Sequence, residues 1–470
     1  MLFNSYIFIF VFLPIVLFGA FVLRSNSHMH TKAKAWLLLA SLIFYGYWNI
    51  KYLLLLLISI IFNHQIGHRI NTAAKQNKKS KILLISGIAV NLFLIGYYKY
   101  FGFFLHSSNQ LIKTSFDIPE IVLPLAISFY TFTQIAYLVD AYRGETKDLN
   151  YNILDYGLFV SFFPQLIAGP ILRHNDLIPQ FDSPKTFISS NENIANGLTL
   201  FTLGLAKKVL IADNLSPFVS LAFGNVDSLT FLSSWIGALS YTFQLYFDFS
   251  GYSDMAIGLG YLFNIHLPIN FNSPYKAISI IDFWRRWHIT LSNFLRDYLY
   301  IPLGGNRKGE IRRYANLLVT MFLGGLWHGA GWTFIIWGLL HGFYLAINHL
   351  YRRVNFRLNL PSFIGGILTF LCVVFSWVIF RAPSFSNART ILKAMVGMNG
   401  FLLSDSVFPS PLFQMSILVF LVVGVTLLPN TQEIMQKFKP TWAWAIAGGS
   451  LASLSLLSLN RVSEFLYFQF

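Results

Sequence analysis

Twelve apolar segments recur along the chain, near residues 3–23, 35–48, 52–62, 82–105, 120–141, 155–171, 199–222, 231–262, 316–347, 362–381, 410–429 and 441–458. An α-helix needs about 20 apolar residues to cross the hydrocarbon of a bilayer. Inside that hydrocarbon every backbone polar group must be bonded within the protein, which at this segment length leaves helices. The pattern predicts an all-α polytopic membrane protein with roughly ten to twelve spans. Only 11% of the residues are charged, against about 25% in soluble domains, and mean hydropathy is +0.57. Several segments are too short or too interrupted for simple spans. "FVSFFPQLIAGPI" carries Pro164, Gly169 and Pro170, the composition of a re-entrant or broken helix lined by protein or water.

The net charge of +15 needs no nucleic acid, because no basic stripe stands apart from the apolar segments. Positive-inside bias and anionic headgroups account for it. The loop "HRINTAAKQNKKSK" holds Arg69, Lys75, Lys78, Lys79 and Lys81 and no acid, and an earlier one holds Arg24, Lys32 and Lys34. Both are expected on the cytoplasmic face. That places the N-terminus outside, Lys51 near the outer face and the basic loop "GGNRKGEIRR" inside. No hydrophilic stretch exceeds about 30 residues, so no soluble domain is expected. The first apolar segment lacks a basic n-region and a small-residue cleavage site, and reads as a retained helix. Cys372 stands alone in the sequence, which rules out an intrachain disulfide and a multi-cysteine metal site.

Three constellations could carry chemistry. In "SIIDFWRRWHITLSNFLRDYLYI", Ser279 and Asp282 have capping-box spacing. Trp284, Trp287, Leu291, Phe294 and Tyr298 form one apolar stripe, with Arg285, Ser292 and Arg296 on another side. An amphipathic helix at the interface is expected, with His288 at the edge of the stripe. In "YTFQLYFDFSGYSDMAIGLGYLF", Asp248 and Asp254 interrupt an apolar run. Intramembrane acids usually pair or line a cavity. The candidates for pairing are Arg285, Arg286 and Arg296; a catalytic or ion-coupling role is the other reading.

The third constellation is "FLGGLWHGAGW". From Leu317 to Ile347 there is no charged residue, and His328 sits in the run among Gly324, Gly325, Gly329, Ala330 and Gly331. A hydrogen-bonded packing role and a catalytic one both fit, since imidazole exchanges protons near neutral pH. His341, 13 residues on, falls on a different face of one continuous helix. His64 and His68, at i and i+4, lack the glutamate of the zinc-protease motif. No metal is expected.

These pieces together resemble the membrane-bound O-acyltransferase family, and within it the bacterial branch of alginate and peptidoglycan O-acetyltransferases. The resemblance rests on "SFYTFTQIAYLVDAYRG", "FFPQLIAGPILR", "GLAKKVLIADNL", "FQLYFDFSGYSDMAIG", "NFNSPYKAISIIDFWRRWHITLSNFLRDYLYIPLGGNR", "GLWHGAGWTFIIWGLLHG", "FRAPSFSNA" and the terminal "FLYFQF", in that order. It implies a ring of tilted helices, with re-entrant and interfacial ones, around a central funnel. It implies one membrane domain over 1–470: N-terminal helices 1–119, a catalytic core 120–350 and C-terminal helices 351–470. The family's histidine in a Trp-His-Gly context matches His328, and a second polar position matches His288. Both would be catalytic, with Trp327, Trp332, Gln165, Asp248, Asp254, Arg285, Arg286 and Arg296 binding substrate or supporting the site. The resemblance further implies a cytoplasmic acyl thioester donor, acetyl-CoA or another, and no resident cofactor. It implies a bacterial inner-membrane location and a separate periplasmic SGNH serine-hydrolase-like partner that places the acetyl group on a polysaccharide. Teichoic-acid D-alanylation and, outside enzymes, a transporter or flippase using Asp248 and Asp254 are the competing readings.

Overall fold

The structure, a computed structural model, describes residues 1–24, 30–73, 77–146, 151–353, 361–401, 407–459 and 466. Among these there is no strand. The helices in chain order begin with α1 Leu13–Arg24, α2 His30–Gly46, α3 Ile50–Thr72, α4 Lys78–Ile95, α5 Phe101–Ile112, α6 Ile127–Arg143 and α7 Ile153–Ser161. Next come α8 Phe163–Leu166, α9 His174–Phe181, α10 Asn191–Ala206, α11 Asp213–Gly224, α12 Phe231–Leu262, α13 Ile280–Trp284 and α14 Ile289–Leu295. The last are α15 Glu310–His328, α16 Trp332–Arg353, α17 Ser362–Arg381, α18 Phe385–Met395, α19 Pro411–Leu427, α20 Thr431–Lys437 and α21 Trp442–Leu457. Lys75, and all of the terminal "FLYFQF" but Leu466, lie outside the described residues.

Among the described residues, five stretches are long and apolar enough to cross a membrane: Ile50–Thr72, Lys78–Ile112, Asn191–Gly224, Trp332–Arg353 and Ser362–Arg381. A sixth is added if α19 and α20, bent by 52° at their junction, count as one span. Phe8–Arg24 and Trp442–Leu457 are shorter apolar helices. The protein is multi-pass, but an apolar segment is not always a span. Segment 155–171 breaks at Phe162 into α7 and α8, and segment 316–347 is two helices. Exposed apolar side chains such as Phe93, Phe104, Phe420 and Trp442 would be a liability in water and suit contact with lipid.

The chain divides into two compact units, residues 1–202 with 252–268, and residues 203–251 with 269–470. In the first unit, Phe3, Phe8, Phe12, Phe44 and Phe163 pack ring against ring. Lys34, expected in a free basic loop, is instead buried in α2. Its Nζ donates to Asp155 at 2.6 Å and Asp182 at 2.7 Å, because burial of a charge demands opposite charge and hydrogen bonds. Gln165 and Asp254 are buried in this unit, and Gln165 Nε2 donates to the Phe159 carbonyl at 2.6 Å. His64 Nε2 lies 2.9 Å from the Tyr151 carbonyl oxygen.

In the second unit α15 and α16 form an antiparallel hairpin. A Cβ on Gly325 would stand 3.1 Å from Gly338 Cα, and one on Gly338 would stand 2.3 Å from the Met321 carbonyl oxygen. Small residues let two backbones meet at this distance. Gly338→Val is therefore expected to push the helices apart and cost about 1–3 kcal/mol. A thermal melt of the detergent-solubilised protein measures it; an unchanged midpoint would count against the close approach.

Candidate active site

The hairpin decides where His328 stands. The charge-free run folds back on itself at Gly329–Gly331. His328 is the last residue of α15, at the hairpin tip, 3% exposed. Three rings surround its imidazole: Trp327 at 5.0 Å, Trp337 at 5.1 Å and Phe380 at 5.3 Å between centroids. A Cβ on Gly329 would strike the Phe334 ring at 2.2 Å, so the glycines serve close packing at the turn.

His288 is fully buried and packs on the same Trp327, ring to ring at 5.9 Å, and lies edge-on to Phe249 at 4.7 Å. The expected continuous amphipathic helix is broken here. Ser279 does accept from the Asp282 N–H as its cap, but α13 ends at Trp284. His288 itself has φ 43° and ψ 54°, a left-handed conformation that costs a non-glycine residue about 1–3 kcal/mol. Backbone bonds on both sides hold it: Ile289 N–H donates to Asn270 O at 3.0 Å and Asn272 N–H to Arg286 O at 2.9 Å. Trp284, Trp287 and Leu291 are buried rather than lipid-facing.

The break fixes the proton on His288. Asn270 Oδ1 accepts from the Thr290 N–H at 3.2 Å and the Thr290 hydroxyl at 3.0 Å. A backbone N–H can only donate, so the atom facing His288 Nδ1 at 3.2 Å is an acceptor, and Nδ1 carries the hydrogen. The lone pair is then on Nε2. Desolvation pushes the His288 imidazole down to about 3, which keeps the ring neutral. Asn270→Ala is expected to release the tautomer and lower turnover at least about tenfold while Asn270→Asp, which keeps the acceptor, retains more; equal turnover in the alanine variant and wild type would refute this.

His341 belongs to the same group, which the sequence hid by suggesting one continuous helix. Its ring lies 4.8 Å from Trp337, one turn earlier on α16, and folding back sets that same Trp337 against His328. Trp284 Nε1–H donates to His341 Nδ1 at 3.2 Å, so His341 carries its hydrogen on Nε2. Trp337 and Asn270 likewise escaped sequence reasoning, having no signal beyond residue type.

The remaining expected site residues of this unit have the following surroundings. Asp248 does not pair with an arginine. Its Oδ1 is 2.5 Å from Lys208 Nζ, which also holds Asp213 at 2.8 Å, and its Oδ2 accepts from the Leu466 N–H at 3.2 Å. Lys208 enters the interior because the chain adopts a π-helical turn at Lys207–Ala212, the irregularity that re-aims side chains within a span. The visible signal was the Lys-Lys pair in an apolar run. Arg286 pairs with Asp282 at 2.9 Å, Arg296 with Asp297 at 2.7 Å, and Arg285 is exposed. Trp332 is half exposed at the start of α16.

The geometry is thus two buried, polar imidazoles packed against one indole, in a lining of aromatic rings. The model of the membrane-bound O-acyltransferase family matches residues 145–388, which include every member of this group. The chain belongs to the membrane-bound O-acyltransferase family. It is 43% identical to the peptidoglycan O-acetyltransferase of Helicobacter pylori, over all of this chain and 98% of that one. It is 44% identical to the probable alginate O-acetylase AlgI of Pseudomonas aeruginosa, over 86% of this chain and 76% of that one. A teichoic acid D-alanyltransferase of Bacillus subtilis is 28% identical over 56% of this chain and 70% of its own length. The protein is a membrane-bound O-acyltransferase, and the alginate and peptidoglycan relatives match it more closely and over more of its length than the D-alanyl one.

Proposed function

We propose that this O-acyltransferase moves an acetyl group from a cytoplasmic thioester, acetyl-CoA or another, across the bacterial inner membrane for O-acetylation of a cell-envelope polysaccharide such as alginate. The observation that carries the reading is the buried pair His288 and His328, both packed on Trp327. His328 acts as general base. It takes the proton of the acceptor hydroxyl, the oxygen forms a bond to the thioester carbonyl carbon, and the carbon–sulfur bond breaks. The thiolate then receives the proton from the imidazolium. A positioned base contributes about 10²–10⁴-fold. His288, neutral with its lone pair on Nε2, positions the acceptor. Asn270 Nδ2, buried and with no hydrogen-bond partner among the described residues, supplies donors of the kind a developing oxyanion needs.

A separate periplasmic SGNH-type partner completes delivery, and the N-terminus faces outside. Peptidoglycan is the second reading for the final acceptor, favoured by the full-length match to the Helicobacter pylori relative. Deleting the gene and measuring O-acetyl on exopolysaccharide and on peptidoglycan, with D-alanine on the envelope as a third quantity, separates the readings. Loss of D-alanine alone would overturn both. A transporter working through acidic residues predicts the opposite mutant pattern: Asp254→Asn inactive and His328→Ala active.

A further inference from the structure

The second unit holds a cavity of about 520 Å³ whose lining includes none of the residues assigned to acyl transfer above. It lies between the C-terminal half of α16 and the N-terminal half of α17. Its mouth is polar and positive: Arg352, Ser279 and Ser362. Further along the two helices the lining is apolar: Ile347 and Leu368, both half-exposed, and Cys372. We propose that this cavity binds an anionic phospholipid, with the phosphate on Arg352 and one acyl chain running down to Cys372.

Three observations carry the assignment. Arg352 ends one candidate span and Ser362 begins the next, so the mouth sits where both helices leave the hydrocarbon, at headgroup level. From Ser362 to Cys372 is ten residues of helix, about 15 Å at 1.5 Å per residue. That is half of a hydrocarbon core about 30 Å thick, the reach of a chain in one leaflet. The charge at the mouth is also uncommitted. Among the described residues no carboxylate lies within 4.0 Å of Arg352, and its hydrogen bond to the Ser279 hydroxyl is a long one, 3.4 Å. The neighbouring Arg353 is paired with Glu310. A guanidinium offers five donors in a fork that matches phosphate, and an apolar pocket with a few polar groups at one end suits an amphiphile.

Cys372 is the only cysteine of the chain, so alkylation reports on the cavity without background. The full chain in an uncharged detergent is treated with a small maleimide, alone and with phosphatidylglycerol, with phosphatidylcholine of the same chains, or with acetyl-CoA. Phosphatidylglycerol is expected to slow alkylation and raise the melting temperature more than phosphatidylcholine does. Arg352→Gln is expected to weaken the phosphatidylglycerol effect about fivefold, the weight of one arginine near an anionic headgroup. Leu368→Trp, at a half-exposed lining position, is expected to abolish it by filling the cavity. Equal protection by the two lipids, protection by acetyl-CoA and not by lipid, or lipid protection that survives both substitutions would each overturn the assignment.

Discussion

Replacing His328 with alanine is expected to remove O-acetyl transfer, with turnover falling about 10²–10⁴-fold and protein level unchanged. Removing the imidazole leaves a void among Trp327, Trp337 and Phe380 at the hairpin tip, and the helix pairing through Gly325, Gly338 and Gly342 lies below it. The hairpin should therefore still form. Normal acetylation in a well-expressed His328→Ala strain would remove the base assigned here. His288→Ala is expected to impair the reaction as well, and its effect should not add to that of His328→Ala, because residues acting as one unit are non-additive. Fully additive losses would separate the two histidines into independent roles.

Lys208→Met is expected to be the most damaging substitution for folding. Lys208, Asp213 and Asp248 are all at most 3% exposed at their side chains. Removing the cation leaves two buried carboxylates without the positive charge they share, and breaking a buried pair costs about 3–5 kcal/mol. Expression should fall and the detergent-solubilised protein should melt earlier. Combining Lys208→Met with Asp213→Asn and Asp248→Asn is expected to recover much of the loss, since neutral replacement of a buried ionic cluster is often tolerated. A wild-type melting temperature for the single Lys208→Met variant would show that these charges are not coupled. Asp248 is thus explained by charge balance within the fold, in place of the proton relay that its membrane position suggests.

The sequence determined the solvent, the helical class and the family. Apolar runs near 20 residues with few charges leave no other backbone solution in lipid, and residues 145–388 match one family. It also marked His288 and His328, since imidazoles in apolar runs stand out locally. Tertiary structure decided what those residues touch. The run Leu317–Ile347 looks like one long helix because hydropathy does not record direction, and three residues, Gly329, Ala330 and Gly331, reverse it. That reversal puts His328 at a tip and brings Trp337, which also packs on His341, against it. Similarly, no periodicity announces the left-handed residue at His288, which breaks an amphipathic pattern to satisfy Asn270 and Thr290. Nor does it announce the π-helical turn that sends Lys208 inward to Asp248. Pairing of buried charges depends on which helices meet, and that is a property of long-range packing, for which a single sequence carries residue types but no distances.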